Sequence, residues 1–224
     1  MKREETKFYL GTILVLMSYY LIFNLVVRLE FMDQLSDFGF YGIQILLIII
    51  EGIAATVVLI KSQRWKEYGR FQFRWSYLGI FFLSFILMFL WVNITTRIFP
   101  STQNGSAIKE TVANLTGISY FVTRILYGSL IAPIVEELVF RGLLMTALSK
   151  FKKYYIDVTI SSTLFSLIHV LQYGLVLTDF IVYAGAGLLL CMLFRYTRSI
   201  YWSMALHILW NTFLIIVSLL VFGN

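Results

Sequence analysis

The chain is 224 residues long, 59% hydrophobic and only 13% charged, and its mean hydropathy of +0.82 lies far outside the range of a soluble globular domain. A formal charge of +6 would suggest nucleic acid as the partner of a soluble protein, but in a chain this apolar the placement of the basic residues outweighs their sum, and no nucleic-acid partner is expected. The single cysteine, Cys191, sits in an apolar run, which excludes a disulfide framework and a cysteine metal cluster.

Apolar runs bounded by charge predict membrane spans near 8–27, 40–60, 75–96, 118–148, 154–173, 177–194 and 200–222. All but 118–148 are near the length of about 20 residues that a helix needs to cross a bilayer. The expected fold is therefore all-α, a polytopic transmembrane bundle of about seven spans forming one integral domain over residues 1–224, in the cell membrane. Met1-Lys2-Arg3-Glu4-Glu5 leads into its apolar run without a small-residue cleavage site, so the first span reads as uncleaved.

The basic residues set the expected orientation. Lys2, Arg3, Lys7, Lys61, Arg64, Lys66, Arg70, Arg74, Lys150, Lys152, Lys153, Arg195 and Arg198 fall on one side of the seven-span layout, thirteen in all. Arg28, Arg97 and Lys109 fall on the other, and Arg124 and Arg141 lie within a span, which accounts for all eighteen. The positive-inside rule then predicts a cytoplasmic N-terminus and an external C-terminus. The stretch Arg97–Thr116 reads as the one sizeable external connection, and its triplets at Asn104 and Asn114 are too short to signify glycosylation alone. No internal repeat is visible, which removes one common sign of a secondary transporter.

The span 118–148 is longer than one perpendicular crossing requires and contains Pro133, so a tilt, a kink or an interfacial start is expected. It also carries Glu136, Glu137 and Arg141 in an otherwise apolar run. An ionised side chain near the bilayer centre costs roughly 2.5–3.5 kcal/mol on insertion scales, so three within six residues need partners. On an α-helix Glu137 and Arg141 are four apart with the acid first, the favourable order for an ion pair. Glu136 points about 100° away and is left to face a polar cavity. Glu51, Asn93, Arg124 and Asp157 are the other polar residues within spans; interhelical hydrogen bonds, ion pairs or interfacial positions account for them, with Glu51 held open for a functional role.

Both histidines follow the carboxylate pair. Each has a companion four residues away on the same helix face, Phe165 with His169 and Asn211 with His207. A lone histidine in a membrane helix is usually a structural hydrogen-bonding group. Depth alters that reading, because at ~1.5 Å per residue Glu136, His169, Asn211 and His207 lie roughly 18, 22, 16 and 10 Å from the predicted cytoplasmic ends of their helices. Four polar groups from three helices therefore reach overlapping depths, the arrangement expected for water chemistry inside a bundle.

Glu136-Glu137-x-x-x-Arg141, Phe165-x-x-x-His169 and His207-x-x-x-Asn211 together resemble the three motifs of the CPBP family of intramembrane proteases. That family includes the CAAX prenyl endopeptidases and bacteriocin-processing or immunity relatives. The likeness covers about residues 118–215 as a catalytic core, whereas residues 1–117 carry no family signature. It implies an intramembrane glutamic endopeptidase acting on a membrane-associated peptide or protein. Glu136 would activate the water and His169 would hold and polarise it, while His207 and Asn211 would donate to the oxyanion. Glu137, Arg141 and Phe165 would support them. The resemblance implies no cofactor.

Two alternatives stay open. Two histidines and a glutamate could hold zinc with another glutamate as base, although no His-Glu-x-x-His motif is present. A non-catalytic immunity or scaffold protein could use the same cavity to bind a peptide, since fold does not guarantee activity.

Overall fold

The computed structural model describes residues 2–99, 106, 117–171 and 174–222. Among these residues the chain forms seven long helices and no strand: α1 (Lys2–Asn24), α2 (Asp37–Lys61), α3 (Trp75–Ile98), α4 (Gly117–Met145), α5 (Ile156–Leu171), α6 (Leu177–Thr197) and α7 (Ile200–Phe222). Each expected span falls on one of them. The chain is thus a multi-pass integral membrane protein. The expected external connection from Pro100 to Thr116, with both glycosylation triplets, lies outside the described residues except for Ser106.

Five of the helices, α2, α3, α4, α6 and α7, are long and apolar enough to cross a membrane. The other two differ for physical reasons. Helix α1 opens with charges at Lys2, Arg3, Glu4, Glu5 and Lys7, and α5 has 16 residues, or about 24 Å against a hydrocarbon core of about 30 Å. Large apolar side chains left exposed on the outer helices, such as Phe82, Leu83, Ile86 and Leu90 of α3, suit contact with lipid.

Local chemistry sets the boundaries. Ser36 caps α2 by accepting a hydrogen bond from the Gly39 amide at 3.3 Å. Gln63, Tyr155 and Arg198 take left-handed backbone angles, with φ of 64°, 57° and 52°, and stop α2, precede α5 and stop α6 in turn. The expected span 154–173 thus starts at Ile156, after Tyr155 has broken the chain direction. The expected span 118–148 ends at Met145, and a 3₁₀ turn over Ser149–Tyr154 follows.

Helix α4 runs through Pro133 as one element, but its winding changes. Hydrogen bonds of the i to i+5 kind run over Phe121–Ile131 and Leu138–Met145, with an ordinary α-helical stretch Ala132–Glu137 between them. Pro133 sits in the first turn of that stretch, and with a helical turn before it, its missing N–H leaves one carbonyl of that turn without a backbone partner. Such wide turns are rare and concentrate at functional sites.

Two apolar cores hold the helices. One surrounds α4, with Tyr19 of α1, Ile48 and Leu59 of α2, Val139 and Phe140 of α4 and Phe165 of α5 among its members. The other joins α3, α6 and α7 and is rich in rings: Trp202 touches Phe71, Phe73, Tyr77 and Phe81. The small-residue run Ala184–Gly187 is used inside the bundle. A Cβ on Gly185 would meet the Trp91 indole at 2.0 Å, and one on Gly187 would meet Phe165 at 3.1 Å and the Ser162 backbone at 3.3 Å.

The basic connections gather at one end. Arg198 pairs with Glu67, the Trp202 indole donates to the Gln72 carbonyl at 3.0 Å, and Arg195 donates to the Lys152 carbonyl at 2.6 Å. Lys150 stands over the Tyr9 ring at 5.3 Å, and Arg64 over Phe8 at 5.4 Å. The start of α1 and the connections α2–α3, α4–α5 and α6–α7 therefore share one face. Asn93 donates its amide to the Phe89 carbonyl of its own helix at 2.8 Å. Asp157, 4% exposed, pairs with Arg195 at 3.4 Å.

Candidate active site

The α-helical stretch Ala132–Glu137 puts Glu136 and Glu137 at the centre of the bundle, 6% and 0% exposed. Their roles divide by direction. Glu137 Oε1 lies 2.9 Å from Arg141 NH1 and also 2.9 Å from His207 Nδ1. One carboxylate oxygen thus ties α4 to itself and to α7, and the Ser203 hydroxyl faces the same group.

Arg141, fully buried, is held on several sides, while its Nε has no hydrogen-bond partner among the described residues. Its NH2 donates to the Gly187 carbonyl of α6 at 3.0 Å, and its guanidinium lies 4.7 Å from the centre of the Phe165 ring. The glycine at 187 brings that carbonyl within reach. Burial of an ion pair is costly unless its remaining donors and acceptors are engaged; here a histidine, a carbonyl and an aromatic face engage part of them, while Glu137 Oε2 and Arg141 Nε have no hydrogen-bond partner among the described residues.

Glu136 faces the histidines. Its Oε2 stands 3.6 Å from His207 Nε2 and 3.9 Å from His169 Nε2. Both rings are held by their other nitrogen: His207 Nδ1 by Glu137, and His169 Nδ1 by the Phe165 carbonyl one turn back at 2.8 Å. The two imidazoles therefore turn the same atom towards one carboxylate oxygen. The His169 ring stacks on Tyr183 at 4.5 Å and tilts against Phe165 at 4.5 Å. Phe165 also touches the Phe140 ring at 5.4 Å and His207 at 5.7 Å, so it is a wedge shared by α4, α5 and α7.

Asn211 lies one turn beyond His207 on α7, and its amide donates to the Gly128 carbonyl of α4 at 2.9 Å. The structure thus brings Glu136, Glu137, Arg141, Phe165, His169 and His207 into one cluster and sets Asn211 beside it as a link between α7 and α4. Among the described residues no group of three or more His, Cys, Asp and Glu side chains is arranged to hold a metal ion.

One neighbour of the cluster gave no signal in the sequence. Tyr19 of α1, 1% exposed, hydrogen-bonds the Glu136 carboxylate and packs edge-on against Phe140 at 5.9 Å. It is one tyrosine among fourteen, more than a hundred residues before its partner, so spacing could not single it out. Glu51 of α2, 4% exposed, lies near the same tyrosine and is hydrogen-bonded with Ser18, while its Oε2 has no hydrogen-bond partner among the described residues.

Residues 118–213 match the family model described as type II CAAX prenyl endopeptidase Rce1-like. The chain is similar to the membrane-embedded CAAX protease MroQ of Staphylococcus aureus, 27% identical over 94% of this chain and 88% of that one. It is also similar to the UPF0177 protein YvdC of Lactococcus lactis, 31% identical over 62% of this chain and 52% of that one. YdiL of Bacillus subtilis is 28% identical over 51% of this chain and 45% of its own length, so the chain spans about half the length of these last two relatives. No solved structure matches the chain.

Proposed function

We propose that the chain, whose residues 118–213 match the Rce1-like family model and which is similar to the CAAX protease MroQ, is an intramembrane protease of the CPBP family, an endopeptidase that hydrolyses a peptide bond of a membrane-associated peptide or protein. The observation that carries this reading is the pair of imidazole Nε2 atoms facing one oxygen of Glu136, at 3.6 and 3.9 Å. Those separations exceed a direct hydrogen bond, and a water beside the three atoms is the group that would join the carboxylate to the imidazoles.

Glu136 takes a proton from that water as its oxygen attacks the scissile carbonyl carbon, and later gives the proton to the leaving amine. His169, with its proton held on Nδ1 by the Phe165 carbonyl, offers the Nε2 lone pair to the same water. His207 has Nδ1 on Glu137, so a proton on Nε2 makes it a donor to the oxyanion, a contribution of about 3 kcal/mol for a well-placed donor. Asn211 has a second amide hydrogen beyond the one that meets Gly128, and this is its route to the same oxyanion. Glu137, Arg141 and Phe165 set the imidazole and the helix that carry these groups. Tyr19 positions the Glu136 carboxylate.

The test is cleavage by the purified full-length chain of a membrane peptide identified by comparing cells that carry wild-type and Glu136→Gln protein. Peptides that persist only with the variant support the reading. Identical peptide patterns, with the biological phenotype intact, would make the chain a non-catalytic binder.

A further inference from the structure

At the basic end of the bundle, away from the glutamates, the turn Ser149–Tyr154 and the ends of α4, α5 and α6 enclose a cavity of about 280 Å³. Lys152, Arg195 and Arg198 line it against a single lining carboxylate, Asp157, and with Glu67, which pairs with Arg198 beside the cavity, one positive charge remains in excess. We propose that this cavity binds the phosphate of an anionic lipid headgroup. The proposal does not depend on how Glu136 and the histidines are read.

The three cations are presented differently. Arg195 is fixed in place, with NH1 3.4 Å from Asp157, NH2 donating to the Lys152 carbonyl at 2.6 Å, and its guanidinium over the Tyr155 ring at 4.3 Å. A planar group so held is pre-organised for a bidentate phosphate contact through its remaining donors. Arg198 projects from the left-handed residue that ends α6, and although one nitrogen meets Glu67, its side chain is 66% exposed. Lys152 is exposed, and its ammonium has no ion pair or hydrogen bond among the described residues. Ser149, three residues before it on the 3₁₀ turn, adds a hydroxyl to the lining on the same side.

The rest of the wall suits a lipid. Met145 and Phe194 give the cavity an apolar side, as expected where glycerol and the first acyl carbons would lie. Burial, and then the neighbouring Glu67, push the Tyr68 hydroxyl above the ordinary phenol range, and that hydroxyl donates to Glu67 at the cavity edge. The volume lies just below the common range of about 300–1,000 Å³ for ligand pockets, which favours a headgroup over a folded peptide. Basic pockets between spans at a membrane surface are the usual receptors for anionic headgroups.

The experiment titrates purified full-length protein in neutral detergent with phosphatidylglycerol, phosphatidylcholine and inorganic phosphate, reading adducts by native mass spectrometry and melting by fluorescence. Phosphatidylglycerol should form a one-to-one adduct and raise the melting temperature, whereas phosphatidylcholine should do neither. Lys152→Gln with Arg198→Gln should weaken binding about 25-fold, at roughly fivefold per near-surface cation. Lys66→Gln with Arg70→Gln, on the same face but outside the cavity, should not weaken it. The single Lys152→Gln variant, which breaks no contact, guards against misfolding of the double variant and should lose roughly fivefold. Displacement of the lipid by equimolar inorganic phosphate would assign the site to soluble phosphate and overturn the lipid. Equal binding of phosphatidylcholine, or wild-type affinity in both cavity variants, would overturn the site itself.

Discussion

His207 Nδ1 lies 2.9 Å from Glu137 Oε1, the same oxygen that receives Arg141 at 2.9 Å. The carboxylate beside the proposed base is therefore the anchor of the opposite imidazole, and the paired glutamates hold unlike tasks. Glu137 fixes the ring through Nδ1, and Glu136 meets what the ring presents at Nε2. A chain that moved either glutamate by one position would turn it about 100° around the helix and lose one of these contacts.

Glu136→Gln should abolish proteolysis while leaving insertion, yield and melting temperature near those of the wild type. The amide keeps the shape of the side chain and can still meet Tyr19, but it cannot take a proton from water. The check is cleavage by purified protein together with a thermal melt. Normal turnover in this variant would remove Glu136 from the chemistry.

Arg141→Ala should act on folding instead. It strands the fully buried Glu137 with His207 as its remaining near partner, and loss of one partner of a buried pair typically costs about 3–5 kcal/mol. The folded yield and melting temperature should fall well below those of Glu136→Gln. Equal stability of the two variants would show that the pair does not brace α4.

Part of this site was legible before any coordinates, and the division is physical. The spacing of four between Glu137 and Arg141, and between Phe165 and His169, encodes contacts within one helix, because a turn returns the chain to the same face. The contact of His207 with Glu137 crosses seventy residues, and depth counting alone gives no rotation of α7 about its axis. It gave roughly 18 Å for Glu136 and roughly 10 Å for His207, overlapping depths that left the pairing of His207 with Glu137 hidden. The i to i+5 winding of α4 was equally hidden, since Leu138–Met145 is buried all round and a segment apolar on every side barely distinguishes 3.6 residues per turn from a wider turn. For Asn93, polarity left an interhelical bond, an ion pair or an interfacial position open, and its amide donates to the Phe89 carbonyl of its own helix.

Tyr19→Phe should separate position from packing. The ring stays against Phe140, so the melting temperature should hold, while loss of the hydroxyl removes one hydrogen bond from the Glu136 carboxylate. Hydrogen bonds to charged groups contribute about 1.5–3 kcal/mol, so kcat should fall by about 10-fold or more with KM little changed. Tyr19→Leu should lose stability as well. Unchanged kcat in the phenylalanine variant would leave Tyr19 as a packing residue only.

The last prediction decides between metal-free and zinc chemistry on nearly the same residues. A zinc site needs nitrogen and oxygen ligands at about 2.0–2.2 Å, and the atoms that could supply them here are Glu136 Oε2 and the two Nε2 atoms that face it. An oxyanion hole needs donors, and Asn211 discriminates because an amide is a poor zinc ligand and a good donor. Asn211→Ala should cost about 10²–10³ in turnover, and a modest loss of stability should accompany it, since the link to the Gly128 carbonyl goes too. A turnover loss much larger than the stability loss marks the donor role, whereas a stability loss alone marks a link between helices. Elemental analysis of active wild-type protein should find no stoichiometric zinc, and chelators should leave cleavage intact. One zinc per chain, with activity removed by chelation and restored by Zn²⁺ alone, would transfer His169 and His207 from water and oxyanion to metal.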